Sequence, residues 1–167
     1  MSGQHDDVLV IVDAATLLTA YPDVSLDADA PTPIDGVHVY VVNAADAQQI
    51  GHNDSRIAAT LNAGDELHLR ASALSLRAHE SVVFYRFTLS DANVIAPWEA
   101  VTRDATLSVP DPADLLQPTS QKISEHYWRA AVLAAGKVSC TADFIVLGGD
   151  EKIRGYFSWE IDIEIDV

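Results

Sequence analysis

Six histidines, one cysteine and twenty-five carboxylates are the side chains of this sequence that could hold a metal or move a proton. His5, His38, His52, His68, His79 and His126 stand singly, none at i,i+2 or i,i+4 of another. No local motif therefore presents two imidazoles on one face, and a histidine metal centre would have to assemble across strands. His79-Glu80 opens like a zinc-protease helix, but Val83 stands where the second histidine belongs. Cys140 is the only cysteine, so it can form neither an internal disulfide nor a Cys-rich zinc site. It lies in the strand pattern Val138-Ser139-Cys140-Thr141-Ala142 and reads as a small buried hydrophobe. A cupredoxin copper site fails as well, because Met1 is the only methionine and no histidine follows His126. No G-x-S-x-G elbow is present for a catalytic serine. The expectation is a protein with no catalytic residues, no cofactor and no enzymatic activity.

Oxygen ligands recur at every second position of Asp23-Val24-Ser25-Leu26-Asp27-Ala28-Asp29, as they do in a calcium loop. Ala28 replaces the glycine and Ile34 the bidentate glutamate that an EF-hand requires, so this is not one. A looser calcium site could use Asp23, Asp27, Asp29 and Asp35, while a solvated, turn-rich acidic loop is the preferred reading. Trp98 follows Pro97, and adjacent Tyr127 and Trp128 must point to opposite faces of a strand, so at least one of that pair should lie outside the main core. Exposed aromatic rings beside aspartates can hold a sugar, which makes Asp27, Asp29, Trp98 and Trp128 the candidate ligand-binding residues. The same rings could form the centre of a dimer interface, and that reading ranks above the sugar.

The elements that must position these residues are mostly strands. Residues 8–12 form a β-branched apolar run that reads as a buried strand. Asp13 can cap a two-turn helix over residues 14–20, stopped by Tyr21-Pro22. A polar loop over 23–36 leads to strands at 37–43 and 56–61 and a turn at Asn62-Ala63-Gly64-Asp65. Leu67, Leu69, Ala71 and Ala73 then alternate with polar residues, as do Val83, Tyr85, Phe87 and Leu89. Residues 91–121, with Pro97, Pro110, Pro112 and Pro118, read as the least ordered segment, with short strands at 98–102 and 105–109. Further strands fit 126–133, 138–147 and 153–159, and a tight turn fits Gly148-Gly149-Asp150. Two-residue alternation continues to Val167, with a bend expected near Glu160.

About nine short strands, one small helix and no βαβ rhythm predict a single domain over residues 1–167: an all-β antiparallel sandwich, Ig-like or jelly-roll-like, with one short N-terminal helix. Its 167 residues are 49% hydrophobic, enough for one core. A net charge of −15 repels phosphate backbones and anionic lipid, so neither nucleic acid nor a membrane surface is an expected partner. The basic start of a secretory signal and the ~20-residue apolar run of a membrane span are both missing, which points to the cytoplasm.

Val8-Leu9-Val10-Ile11-Val12-Asp13, Ala20-Tyr21-Pro22, Ala63-Gly64-Asp65, Ala73-Leu74-Ser75, Tyr127-Trp128 and Gly155-Tyr156-Phe157-Ser158-Trp159 occur in this order across almost the whole chain. Together they resemble the AidA/PixA inclusion-body protein family of bacteria. Glu160-Ile161 departs from the Asp-Pro of the family pattern, which leaves the end of that strand open. The resemblance implies a small cytoplasmic accessory protein linked to quorum sensing and host association, found in inclusions or released without a signal. It brings no catalytic residues. The expected mode of action is self-association, as a homodimer, or binding of another protein; the alternative is a lectin-like module, with or without calcium.

Overall fold

The computed structural model describes residues 3–43, 51–52, 55–75 and 79–167. In chain order its elements are β1 (His5–Val12), α1 (Ala14–Ala20), β2 (Thr32–Ile34), β3 (Val39–Asn43), β4 (Gly51–His52), β5 (Arg56–Thr60), β6 (Glu66–Ala73), β7 (Glu80–Leu89), β8 (Glu99–Asp111), β9 (Asp114–Ala131), β10 (Gly136–Gly148) and β11 (Ile153–Asp166). The first sheet runs β4-β3-β1-β6-β9-β8; the second runs β2-β11-β10-β7, with β5 also paired to β11. The side chain of His52 lies outside the described residues.

Alternation decides which side chains reach the core. Val8, Val10 and Val12 are buried, while Leu9 is exposed and Ile11 half-buried, so β1 is a one-faced strand rather than the fully buried run its composition suggests. From the other sheet come Phe144, Phe157, Trp159, Ile161, Ile163 and Ile165. Phe144 and Phe157 stack with centroids 5.4 Å apart. Burying each such side chain contributes about 1.5–3 kcal/mol. The helix forms as its cap dictates: the Thr16 amide donates to Asp13 Oδ1 at 3.2 Å, and Leu17 is fully buried.

The all-β class stands, but the sheets are mixed rather than purely antiparallel. β1 pairs in parallel with β6, and β2 and β5 both pair in parallel with β11. The reason lies in the connections. The Asn62–Asp65 turn does not close a hairpin; it carries the chain from β5 in one sheet to β6 in the other. Asp65 secures that passage, accepting the Asn62 amide at Oδ2 and the Gln4 amide at Oδ1, both at 2.9 Å.

Two further expectations change. Pairing of β10 with β11 is regular past Glu160, and its single irregularity falls at Val146/Leu147. There Gly155 lets Val24 approach so closely that a Cβ would stand 2.4 Å from it. Residues 91–121, expected to be the least ordered with only short strands at 98–102 and 105–109, instead contribute most of one long hairpin of β8 and β9. Its prolines are tolerated because β8 is an edge strand and because the ladder skips from Val109↔Thr119 to Asp111↔Asp114, leaving Pro110 and Pro118 outside it. β9 joins β6 only through Trp128–Ala131. Beyond that the hairpin is a two-stranded arm.

Candidate functional site

The root of the arm meets β1 and β6 on the outer face of the first sheet, where the densest polar network lies. Parallel register sets His5 beside Glu66 and Asp7 beside His68, and antiparallel register sets His68 beside Arg129. Arg70 Nη1 donates to Asp7 Oδ1 at 2.6 Å, and Arg70 Nε and Nη2 donate to Glu125 Oε1 at 3.0 and 2.7 Å. Arg103 Nε donates to the other Glu125 oxygen at 2.8 Å. Hydrogen bonds from Arg103 and then Arg70 hold the Glu125 carboxyl below the usual carboxylate range. The guanidiniums of Arg70 and Arg103 lie 5.0 and 5.4 Å from the Tyr127 ring centroid. Tyr127 is thus buried outside the main core, under cations, while Trp128 points inward against Phe87 at 4.9 Å.

His68 is buried between the Tyr127 ring and the His5 ring, each 4.7 Å away. Its Nε2 lies 2.8 Å from Glu66 Oε2 and its Nδ1 3.7 Å from Asp7 Oδ1. His5 Nε2 lies 3.5 Å from Asp7 Oδ2. Among the described residues, His5, Asp7 and His68 are the one group of three or more such side chains whose ligand atoms converge, all within 4.8 Å. Sequence reasoning missed it because the two histidines are 63 positions apart and meet only through the β1–β6 register. The signal that existed was two-residue spacing on each side: His5-x-Asp7 and Glu66-x-His68.

The residues singled out from sequence fall elsewhere. Asp23, Asp27, Asp29 and Asp35 form no converging group. Asp27 Oδ1 accepts the Asp29 amide and Asp35 Oδ1 the Val37 amide, as turn-forming aspartates do. The Ala28 carbonyl, central to the loop, accepts from Tyr85 Oη at 2.8 Å and Arg86 Nη2 at 3.1 Å. Arg86 also pairs with Asp143 at 2.6 Å and approaches the exposed Asp29 at 3.7 Å, so a guanidinium borders this acidic loop. Trp98 and Trp128 are half-buried and both pack on Phe87. Asp29 approaches Arg86 whereas both tryptophans pack on Phe87, so Asp29 and the tryptophans do not form one cluster. Cys140 is buried as expected, and burial pushes its thiol up to about 11, which leaves it unreactive near neutrality.

An open groove of about 480 Å³ lies between β5, β10 and β11. Its cations are already engaged: Arg56 and Lys137 both pair with Glu164.

These observations define a class: a two-sheet β-sandwich with one cap-stabilised helix and a long hairpin arm rooted in a charged aromatic cluster. The model of the PixA inclusion body protein family matches residues 4–165, and the chain belongs to that family. The crystal structure of an inclusion body protein (PixA) from Burkholderia cenocepacia J2315 is similar over 99% of this chain and 97% of that one, with a TM-score of 0.77 at 22% identity. At that identity the likeness establishes the fold. No curated protein matches the sequence. No helix among the described residues is long and apolar enough to cross a membrane.

Proposed function

We propose that this protein is a non-enzymatic inclusion-body protein that works by self-association, as a homodimer joined through the β8–β9 arm. The carrying observation is the arm's inverted patterning. Register places Val101, Ala105, Leu107 and Val109 on the outward face with Ile123 and Tyr127, beside Arg103, Glu125, Gln121 and Thr119, while Thr102, Thr106 and Ser108 share the other face with His126, Lys122 and Ser120. Leu107, Leu115 and Leu116 are 50%, 72% and 92% exposed. A two-stranded ribbon with its apolar residues in water is marginal unless something covers it.

A second copy fits. The free edge of β8 carries unpaired backbone donors and acceptors, a template for another strand. An antiparallel β8–β8 contact centred on Leu107 sets each Arg103 opposite the other copy's Asp111 and each Ala105 opposite Val109. That pattern is self-complementary, as an isologous two-fold contact requires. In that register Pro110 falls opposite the other copy's Asp104 and donates no backbone hydrogen bond, so the ladder is short and Arg103 meets Asp111 through side chains alone. The family's description as inclusion body proteins supports a chain that is stored by packing on itself. Accumulation in the cytoplasm at high cell density, with the quorum-sensing and host-association link of the AidA/PixA resemblance, belongs to the same reading.

Sedimentation equilibrium tests it. The full chain should have twice its single-chain mass, and Leu107→Lys should return it to one. A wild-type protein that stays at one chain mass up to the highest soluble concentration, or a Leu107→Lys protein that still dimerises, overturns the proposal.

A further inference from the structure

We propose that His5, Asp7 and His68 bind a borderline divalent transition-metal ion, of which Zn²⁺ is the reference case, on the outer face of the first sheet. A tetrahedral ion held at about 2.0–2.1 Å by each ligand sets its donor atoms roughly 3.3–3.4 Å apart. His5 Nε2 lies 3.5 Å from Asp7 Oδ2 and His68 Nδ1 lies 3.7 Å from Asp7 Oδ1, and one ligand atom from each of the three residues falls within 4.8 Å of the others, so side-chain rotation must close that spread around a single ion. His5 is more than half exposed and supplies the adjustment; His68 and Asp7 are fixed by their neighbours.

The proton inventory points the same way. His68 Nε2 lies at hydrogen-bond distance from Glu66, a carboxylate that can only accept, so Nε2 carries the proton. In the neutral ring Nδ1 is then a bare lone pair facing an Asp7 oxygen. That oxygen, Oδ1, already accepts from Arg70 at 2.6 Å, so the lone pair of Nδ1 is the donor left open to a metal ion beside it. The carboxylate–histidine pair behind Nδ1 is also the outer-shell arrangement that orients a metal-bound imidazole and raises its basicity.

The surroundings set the selectivity and the strength. Two imidazoles and one carboxylate favour zinc, nickel or copper over calcium or magnesium. Arg70, bonded to Asp7 Oδ1, leaves Oδ2 toward His5, and with Arg103 and Arg129 it brings positive charge that weakens binding. Glu66 and Glu125 offset those cations. Three protein ligands leave a fourth position for water or another donor.

Calorimetric titration of the full chain with ZnCl₂ tests the site. One ion should bind per chain, with no comparable heat from MgCl₂ or CaCl₂. His5→Ala, at an exposed position, should weaken binding at least ~10-fold, and Glu66→Gln, which removes the outer-shell carboxylate, by about 10–100-fold. His126→Ala should bind as the parent does. An absence of zinc binding overturns the proposal; so does undiminished binding by His5→Ala.

Discussion

Glu125 and Gly36 show how single side chains constrain this fold. Glu125 accepts from both Arg70 and Arg103 and so ties the arm to β6. Its carboxyl titrates below its unfolded value, so its stabilisation is full above an unfolded pKa of about 4.3 and is lost as pH falls through the lower folded value. Chemical denaturation followed from pH 7 down to about pH 3 should show stability falling in the acid limb, and Glu125→Gln should flatten that limb while lowering stability at pH 7. Gly36 has φ +82°, and a Cβ there would stand 2.6 Å from Ser55 Oγ and 2.9 Å from Trp159 Nε1. Those two atoms are hydrogen-bonded to each other at 2.9 Å. Gly36→Ala should therefore cost about 1–3 kcal/mol in a urea midpoint measurement, combining left-handed strain with a disturbed buried hydrogen bond. Of these features the sequence showed only the turn-prone setting of Gly36. The Asp13 cap and the burial of Cys140 were legible because each depends on immediate neighbours; the His5–Asp7–His68 group depends on a register that no local pattern encodes.

Strands that alternate cleanly were recovered from their own residues: β6, β10 and β11 follow period two, but in β7 a register shift opposite Asp143/Phe144 breaks the expected row, so that Val82 and Phe84 join Phe87 and Leu89 in the core while Val83 and Tyr85 face away from it. The arm was not. Four prolines within residues 91–121 suggested irregular chain, yet a ladder with an unpaired bulge and a free edge accommodates them. The arm's composition also misled, because its apolar residues face away from the core that usually explains them. Hydrogen exchange resolves what covers that face. In the parent protein, amides of residues 102–109 should be protected; in Leu107→Lys they should exchange at least ~10-fold faster, with β10 and β11 unchanged. Equal exchange in the two proteins would mean that the arm is covered by nothing beyond itself.

Charge acts on the molecule as a body. The proposed dimer would bring together two chains of −15 each, so long-range repulsion would oppose it. Raising salt from about 0.01 M to about 1 M shrinks the Debye length from ~30 Å to ~3 Å. The dimer should therefore tighten several-fold over that range, as read by sedimentation; weakening would show that the Arg103–Asp111 pairing outweighs the net repulsion. The class of fold was evident from alternation alone, whereas the mixed sheets were not, because passage between sheets at Asn62–Asp65 looks locally like any hairpin turn.

β11 holds β10 along one edge and, end to end along the other, β2 at Phe157–Trp159 and β5 at Asp162–Asp166. The ribosome delivers β11 after each of the strands it organises. Until it emerges, β2 and β5 have no template and half of the hydrophobic interior has no lid, so vectorial synthesis cannot complete this sandwich piece by piece. Folding of the sandwich is deferred until β11 has been made, with the slow closure that long-range pairing imposes. A nascent chain stalled before residue 153 should consequently remain open to proteases and chaperones, whereas one that includes β11 should resist them.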